Sequence, residues 1–434
     1  MERIKIYTVS LGCPKTRVDT EAFLGGLGPG RFAPVDDPAG AELIFINTCG
    51  FIAPAVEESA QTIIEAAEAA REGGGGALVA AAGCLVARYG AGDLAAELPE
   101  VDLWLDLSER HRWPEMVLEA LGRAGSGAAG RLLSTGPGYA YLKIAEGCPQ
   151  RCAFCTIPDI RGPLRSRPPE ELLAEARSML EQGAAELVLV AQDLTSYGRD
   201  LCSEARLADL VESLAGLQGL DRLRLMYLYP AGLTDGFLSR LSQVGPPLAP
   251  YFDVPLQHAH ADVLSAMGRP FARDPRRVVE RIRARFPDAA LRTSLITGYP
   301  GETEDAFRTL RDFVAETRFH HMGVFVFEPE DGTPAAELSG RVDRETAEAR
   351  REELMSLQAG ISEEILGELV GTAQDVVVDE PSPEWPGLHV GRCWFQAPEA
   401  DGVTWISGPG VRPGAMVRAR IDEAKTYDLV ALAE

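Results

Sequence analysis

The chain has 434 residues, 46% of them hydrophobic and 25% charged, and 65 acidic against 42 basic residues give a formal net charge of −23. That length exceeds one ordinary hydrophobic core and predicts three domains. The sequence contains no apolar run long enough to span a bilayer, and so large an acidic excess disfavours phosphate backbones and favours basic partners. Eight cysteines are too few for a secreted disulfide scaffold, and the N-terminus lacks a signal-peptide pattern, so we expect a soluble, cytoplasmic protein.

Residues 1–122 alternate strand-like and helix-like runs, which predicts an open α/β domain. Cys13, Cys49 and Cys84 stand where three of the predicted strands end, the edge at which open parallel sheets bind ligands. Long stretches of chain separate these cysteines, so only the fold can bring the three thiols together, and buried strand-end cysteines remain the alternative. The segment Gly25–Gly30 follows a helix rather than a strand, so we interpret it as a turn and not as a phosphate loop.

Residues 123–138 are rich in Gly, Ala and Ser, which indicates an interdomain linker. Residues 139–366 then show six strand-like runs alternating with helix-like ones, which predicts a partial barrel of six β/α units. The six strands are expected at 139–145, 185–191, 221–229, 251–255, 289–297 and 320–327. In barrels of parallel strands the active site lies at the carboxyl ends of the strands, and an open side would admit a large substrate.

Three thiols, those of Cys148, Cys152 and Cys155, follow directly after the first of these six strands. The spacing Cys-x3-Cys-x2-Cys is just long enough to wrap three thiolates around one cluster, and no fourth cysteine lies nearby. Iron–sulfur clusters are normally held by four thiolates, so three leave one iron open to a ligand that is not protein. Half of a zinc site and three unrelated buried thiols are the alternatives.

The segment Glu146–Cys155 resembles the signature of the radical S-adenosylmethionine enzymes, in which the open iron of a [4Fe–4S] cluster chelates S-adenosylmethionine. This resemblance implies reductive cleavage to a 5′-deoxyadenosyl radical. The segments around Cys13, Cys49 and Cys84 resemble the N-terminal domain of the methylthiotransferases, whose three cysteines hold a second [4Fe–4S] cluster. The expected cofactors are therefore two [4Fe–4S] clusters and S-adenosylmethionine, with no catalytic residue beyond the six cluster ligands.

Several strand ends carry further matches to the methylthiotransferase pattern, and we predict that four residues there bind S-adenosylmethionine. These residues are Gln192, Asp193, Gln257 and Gly298. The glycine would let the backbone approach the ligand closely, although it could equally serve a turn. The neighbouring His258 could be a hydrogen-bonded structural residue.

Two features beside the cysteine motif have two interpretations each. The basic segment Arg161–Arg167 could clamp a carboxylate or form a solvated loop. Phe154 could shield a cluster from water or belong to the ordinary core.

Residues 343–367 predict a long amphipathic helix, and residues 367–434 show short β segments between Gly and Pro turns, which predicts a small antiparallel β-barrel. In order and position this barrel resembles the TRAM domain, an OB-like module that often binds RNA. Between Glu368 and Glu434, however, 11 acidic and 5 basic residues leave a net charge of −6. RNA binding is therefore not expected.

Within the methylthiotransferases the resemblance is closest to enzymes that modify an aspartate of a small-subunit ribosomal protein, through Ser10–Lys15, Asn47–Ile52 and Ala191–Asp193. It implies methylthiolation at the β-carbon of that aspartate, with sulfur from the second cluster and a reductant protein of flavodoxin or ferredoxin type. Thr16 and Thr20 depart from the Asn and Ser that the family often has. A tRNA adenosine methylthiotransferase and a non-catalytic, metal-stabilised adaptor are the alternatives.

Overall fold

The computed structural model describes residues 3–123, 130–202, 206–269 and 274–434. The chain divides into two compact units: the N-terminal unit comprises Met1–Ser134 and Thr156–Pro163, and the C-terminal unit comprises Thr135–Cys155 and Leu164–Glu434. Part of the expected linker, residues 124–129, lies outside the described residues. Among the described helices, none is long and apolar enough to cross a membrane.

The N-terminal unit is built on a parallel five-stranded sheet with the strand order β2-β1-β3-β4-β5. Its strands are β1 (Ile4–Ser10), β2 (Phe32–Pro34), β3 (Leu43–Thr48), β4 (Leu78–Gly83) and β5 (Leu103–Leu105). Its helices are α1 (Pro14–Leu27), α2 (Ala53–Glu72), α3 (Cys84–Tyr89), α4 (Ala91–Glu97), α5 (Trp113–Ala120) and α6 (Ile157–Arg161). The open α/β domain that the sequence predicts is thereby confirmed.

Helices cover both faces of this sheet because its central strand is apolar on both sides. Every residue of β3 is buried, and alternate residues enter two different cores. Phe45 stacks on Phe23 of α1 with ring centroids 3.9 Å apart, whereas Ile44 and Ile46 pack with Ile63 of α2 on the other face. The buried strand thus holds its carboxyl end rigidly at the edge where the cysteines lie.

The predicted turn Gly25–Gly30 is partly wrong, because Gly25 and Gly26 belong to the last turn of α1. A Cβ atom at Gly25 would lie 2.4 Å from the carbonyl oxygen of Gly130, and one at Gly26 would lie 2.5 Å from Cγ of Pro114. Glycine at these two helical positions therefore lets other segments pack closely against α1. The turn itself starts at Gly28, where φ is 94°.

Six parallel strands form the first part of the C-terminal unit and follow one another in chain order. They are β6 (Tyr139–Lys143), β9 (Glu186–Val190), β10 (Arg222–Leu225), β11 (Tyr251–Asp253), β12 (Ala290–Thr297) and β13 (His321–Val326). Two three-stranded sheets are joined by a parallel bridge between Leu223 and Leu248 and by a bond from the Leu228 N–H to the Asp253 carbonyl. The predicted partial barrel of six β/α units is confirmed.

Seven helices of the described chain accompany these strands, together with a two-stranded antiparallel ribbon beside the cysteine motif. The helices are α7 (Pro169–Glu181), α8 (Leu207–Ala215), α9 (Asp235–Val244), α10 (Ala261–Ala266), α11 (Pro275–Arg285), α12 (Glu304–Thr317) and α13 (Arg344–Gly367). The ribbon pairs β7 (Ala145–Glu146) with β8 (Arg165–Ser166). The motif Cys148–Cys155 therefore leaves the barrel at the carboxyl end of its first strand, as predicted.

The last part of the C-terminal unit is a closed five-stranded barrel with the order β14-β15-β16-β18-β17. Its strands are β14 (Ala373–Pro381), β15 (His389–Arg392), β16 (Thr404–Ser407), β17 (Met416–Ala424) and β18 (Leu429–Ala433). The predicted antiparallel barrel needs one correction, since β16 and β18 run parallel. Strand directions cannot alternate all the way around a closed ring of five, so at least one neighbouring pair has to be parallel.

Candidate metal centres

Cys13, Cys49 and Cys84 come together at one edge of the N-terminal sheet because β1, β3 and β4 are adjacent in it. Cys13 precedes α1, Cys49 follows β3 directly, and Cys84 is the first residue of α3. The carboxyl ends of neighbouring parallel strands meet at the same edge, which is where ligands of such sheets sit. Residues separated widely in sequence thus form one group of three thiols, called here the N-terminal triad.

A glycine beside each cysteine of the triad lets the three loops approach one another. A Cβ at Gly12 would lie 2.9 Å from the Cβ of Cys49, and one at Gly50 would lie 2.9 Å from the carbonyl carbon of Cys84. At Gly83 the nearest atom would be the Asn47 side-chain oxygen, at 2.4 Å. Any side chain at these positions would push the loops apart. The triad can therefore form only because these three residues have no Cβ atom.

Burial and neighbouring charges shift the pKa values of the thiols in the N-terminal triad. Burial raises the pKa of Cys49 to about 11, and charges on Cys84 and Cys13 add to that rise. Burial also tends to raise the pKa of Cys13, but Lys15, Arg161 and bonds from Thr16 outweigh it and leave that pKa below its ordinary value. Cys13 is therefore biased toward the thiolate, which is the form of cysteine that binds metal.

Three polar side chains tie the Cys13 loop to β3. The Asn47 amide donates to the carbonyl oxygen of Thr16 and to Oγ1 of Thr20, at 3.0 Å each. Thr20 donates in turn to Oγ of Ser10 at 3.2 Å. The two departures from the family pattern therefore keep a hydrogen-bonding role, and the Thr16 hydroxyl lies 3.7 Å from the Cys13 sulfur.

Arg161 of α6 is buried beside the N-terminal triad. Its Nη2 donates to Sγ of Cys84 at 3.2 Å, and its Nη1 donates to Oδ2 of Asp19 at 2.9 Å. The predicted carboxylate clamp thus exists at this position, although the carboxylate is internal. Arg165 is exposed, and Arg167 pairs with Glu175 at 2.6 Å, so these residues of the basic segment lie elsewhere.

The second group of thiols, called here the loop triad, belongs to the motif Cys148–Cys155 in the C-terminal unit. The N–H of Cys155 donates to the Cys152 carbonyl at 3.1 Å, and the N–H of Ala153 donates to the Met267 carbonyl at 3.0 Å. A Cβ at Gly268 would lie 2.9 Å from the Arg151 carbonyl oxygen, so the loop rests directly on the segment after α10.

Asp193 holds the loop triad from the end of β9. Its carboxylate accepts bonds from Gln150 at 2.8 Å, from Thr195 at 2.6 Å and from Ser196 at 2.5 Å. Burial raises the pKa of Cys148 to about 11, with the charge of Asp193 adding to that rise. Asp193 therefore positions the loop through Gln150, a role that the sequence did not indicate, while its predicted contact with S-adenosylmethionine stays a prediction.

Arg269 and Tyr229 both lie close to Sγ of Cys152 in the loop triad. Nε of Arg269 lies 3.5 Å from Sγ of Cys152, and its Nη1 donates to the Pro255 carbonyl at 2.5 Å. The Tyr229 hydroxyl lies 3.9 Å from the same sulfur, and the Arg269 guanidinium stacks 4.8 Å above the tyrosine ring. Neither residue stands out in the sequence, because nothing local distinguishes them from other strand-end or surface residues.

Among the other predicted cofactor residues, Gln192 and Gln257 lie at strand ends of the C-terminal unit. The Gln192 amide donates to Glu146 at 2.7 Å, and its buried carbonyl oxygen has no hydrogen-bond partner among the described residues. Gln257 has a positive φ of 71°, which is uncommon for a residue with a side chain. Their cofactor contacts remain predictions.

Gly298 and His258 show the contacts that the structural alternative requires. A Cβ at Gly298 would lie 2.5 Å from that of Ala347, and the Gly298 N–H donates to Oε2 of Glu302 at 2.8 Å. His258 is buried, accepts a bond from the His260 N–H at 2.9 Å and lies 3.7 Å from Glu302. The cofactor role of Gly298 stays a prediction beside this packing role.

Phe154 packs against the apolar cluster around Tyr299, with ring centroids 6.5 Å apart, so core packing accounts for its position. In the part of the chain that the structure describes, no three His, Cys, Asp or Glu side chains lie close enough to hold a single metal ion. Both triads nevertheless offer three thiols, carried on glycine-dependent loops and contacted by an arginine. That donor chemistry fits a multinuclear iron–sulfur group with one iron left open.

Comparison with protein families gives three matches along the chain. The Uncharacterized protein family UPF0004 matches residues 5–106, the Radical SAM superfamily matches residues 142–314, and the TRAM domain matches residues 370–433. The N-terminal triad lies inside the first match and the loop triad inside the second.

Curated relatives match almost the whole chain. Three of them are named ribosomal protein uS12 methylthiotransferase RimO. The protein of Oleidesulfovibrio alaskensis is 59% identical over 99% of this chain and 100% of its own length. The proteins of Lawsonia intracellularis and Geobacter sulfurreducens are 51% and 41% identical, over 99% and 98% of this chain and 98% of each relative.

Among solved structures, the radical S-adenosylmethionine methyltransferase TsrM from Kitasatospora setae has a similar fold. Its structure with cobalamin and a [4Fe-4S] cluster bound gives a TM-score of 0.55 at 16% identity, covering 90% of this chain and 81% of that one. At that identity the likeness extends to the fold alone.

Proposed function

Because the chain belongs to the RimO family of ribosomal protein uS12 methylthiotransferases, we propose that it adds a methylthio group to the β-carbon of an aspartate of ribosomal protein uS12. The observation that carries this proposal is the pair of thiol triads, each with three cysteines and each contacted by a buried arginine. Its family identifies it as a radical S-adenosylmethionine enzyme. The tRNA alternative is not favoured, because the full-length relatives are named for a protein substrate.

The residues of the two triads would hold the two [4Fe–4S] clusters. Cys148, Cys152 and Cys155 would ligate the cluster that binds S-adenosylmethionine, and the N-terminal triad would ligate a second cluster. When bound, the clusters and S-adenosylmethionine would supply the radical chemistry and the sulfur, and a second S-adenosylmethionine would supply the methyl group. The chain itself positions the loop triad through Asp193 and Gln150, and the three cysteines are half-buried.

We propose domain boundaries and partners on the same premise. The N-terminal domain would be 1–122, the linker 123–138, the barrel 139–366 and the TRAM domain 367–434. Reductive cleavage consumes an electron, so a reductant protein of flavodoxin or ferredoxin type is expected to dock. The reaction would take place in the cytoplasm because its substrate is a ribosomal protein.

Net charge supports a protein substrate over RNA. The chain carries −23, and its last 67 residues carry 11 acidic against 5 basic side chains. Such a surface repels phosphate and attracts basic ribosomal proteins, and salt weakens the attraction over a Debye length of about 8 Å at physiological ionic strength. A basic patch is not needed for this recognition.

The test offers both substrates to the anaerobically reconstituted enzyme in one reaction with S-adenosylmethionine and dithionite. Mass spectrometry should find the methylthio group on an aspartate of uS12 and none on unmodified tRNA. A matched uS12 variant with Asn in place of that aspartate should remain unmodified. Modified tRNA beside unmodified protein would contradict the proposal.

A further inference from the structure

Arg161 links a sulfur of the N-terminal triad to a buried carboxylate. Its side chain is 2% exposed, and that of Asp19 is 3% exposed. One terminal nitrogen donates to Sγ of Cys84 at 3.2 Å while the other donates to Oδ2 of Asp19 at 2.9 Å. The planar guanidinium makes both bonds at once, which the single ammonium of a lysine cannot do in the same geometry.

We propose that Arg161 raises the reduction potential of the cluster held by Cys13, Cys49 and Cys84, and that Asp19 sets how much of its positive charge that cluster senses. This inference rests on the second cluster of the proposed function. It makes Arg161 and Asp19 positioning residues with a measurable electrostatic effect, because Arg161 acts on a sulfur of the triad and Asp19 acts through Arg161.

The physical reason is the sign of the charge that reduction adds. One electron makes the cluster and its thiolates more negative, so a nearby cation stabilises the reduced form, and hydrogen bonds to cluster sulfurs act in the same direction. A carboxylate 2.9 Å from the guanidinium opposes this effect by cancelling part of the positive charge. Because the three groups are buried, solvent screens these interactions weakly.

A lysine adds a second positive charge beside the triad. Lys15 is buried beside Cys13, and its charge acts on that thiol together with the charge of Arg161. Arg71 is exposed in the last turn of α2, a helix of 20 residues that begins four positions after Cys49. Arg71→Gln is therefore the control, because it removes one arginine charge at the far end of that helix, where solvent screens the charge.

The experiment uses the full chain carrying Cys148→Ala, Cys152→Ala and Cys155→Ala, so that the N-terminal triad alone holds iron. Iron analysis establishes the loading, and a redox titration followed by electron paramagnetic resonance gives the midpoint potential. We expect Arg161→Gln to shift the potential downward, because the cation is removed. Asp19→Asn should shift it upward, because the cation loses its counter-charge, and Arg71→Gln should leave it within error of the parent.

Opposite shifts in the two variants separate an electrostatic role from a structural one. A merely loosened site would move both potentials in the same direction, and that result would overturn the inference. An unchanged potential in fully loaded R161Q would overturn it as well. If R161Q fails to load iron, the potential of D19N decides: an upward shift supports the inference, and an unchanged potential overturns it. A parent without iron would refute the second cluster, and the inference with it.

Discussion

Gly83 is one of the three glycines that let the loops of the N-terminal triad meet. Gly83 has a φ of 103°, a conformation that L side chains rarely adopt, and its missing Cβ leaves room for the Asn47 side-chain oxygen and the Thr48 backbone. Cys84 follows it directly and starts α3. The position of this thiol is therefore set by backbone geometry that only glycine allows.

For Gly83→Ala we expect about half the iron of the parent and a free energy of unfolding lowered by about 1 to 3 kcal/mol, since the new Cβ clashes and the backbone is strained. Iron analysis after reconstitution and thermal unfolding measure the two effects. The control is Gly90→Ala, where φ is also positive at 80° but no atom lies within 4 Å of the added Cβ. Equal iron loss in both variants would mean that strain, and not the close approach, is responsible.

The loop triad makes a sharper prediction about catalysis. Cys152→Ala should abolish formation of 5′-deoxyadenosine, because it removes one of the three thiolates and the sulfur that Arg269 contacts. Chromatography of the products after reaction with dithionite measures the cleavage. Cys202→Ala, which changes an exposed cysteine outside both triads, should cleave at the parent rate. Substantial cleavage by purified C152A would refute the assignment of the loop triad.

Between elements, a buried ion network joins the barrel strands to the C-terminal barrel. Glu186 at the start of β9 is fully buried and accepts from Arg224 at 2.5 Å and from Arg392 at 2.8 Å, with Arg222 at 3.5 Å. Arg392 of β15 also pairs with Asp379 of β14 at 2.7 Å. One carboxylate from the partial barrel thus meets arginines from two different sheets.

For Glu186→Gln we expect the free energy of unfolding at neutral pH to fall by about 3 to 5 kcal/mol, because buried arginines lose their counter-charge. Chemical denaturation measures it. Glu316→Gln removes an exposed partner of Arg276, whose side chain is 38% exposed, and should change stability by about 0 to 1 kcal/mol. A similar small loss in both variants would show that the buried network contributes little.

The lowered pKa of Glu186 predicts that the stability of the fold depends on pH. Burial opposes its charged form, but Arg224, Arg392 and Arg222 outweigh burial and lower the pKa of Glu186 to about 2. Since the unfolded pKa is about 4.3, its contribution to stability is complete above that pH and is lost as the pH falls toward 2. Denaturation curves between these pH values should show a shallower loss of stability in Glu186→Gln than in the parent, and identical slopes would contradict this.

For the whole C-terminal unit, the small barrel is part of the fold rather than an appendage. Asp401 accepts from Tyr251 at 2.7 Å and from Arg292 at 3.2 Å, and His321 bonds the Phe395 carbonyl at 2.6 Å. These partners lie near the amino ends of the barrel strands, opposite the end that carries the loop triad. The C-terminal barrel therefore covers buried polar groups that would otherwise lack partners.

We accordingly expect a chain that ends at Gly367 to aggregate or to lose cooperative unfolding, because Arg224 would lose the Trp394 carbonyl and Tyr251 would lose the Asp401 carboxylate. Thermal unfolding followed by circular dichroism, with size-exclusion chromatography, measures this. Arg418→Gln, which removes an exposed pair with Asp375, is the matched control and should behave like the parent. A monodisperse, cooperatively unfolding shortened chain would show that the barrel is dispensable for folding.

Local sequence pattern was enough to predict the strands, the long helix before the C-terminal barrel and the grouping of cysteines in the loop triad. Apolar periodicity is set by neighbours in sequence, and Cys148, Cys152 and Cys155 are close enough in the chain for their spacing to indicate a shared cluster. The resemblance to the methylthiotransferases then supplied the second triad, since the sequence spacing of Cys13, Cys49 and Cys84 permits a site but does not require one.

Only the tertiary structure decided which groups surround those thiols. Arg161 meets Asp19 across 142 residues of sequence, and Arg392 meets Glu186 across 206. Charged residues of this kind usually lie in solvent, so no local signal distinguishes the few that a fold buries and pairs. The parallel pairing of β16 with β18 was likewise undecided by pattern, because a strand's alternation of apolar residues is the same in either direction. Closing a ring of five strands requires a parallel pair, and only the tertiary structure decides which pair it is.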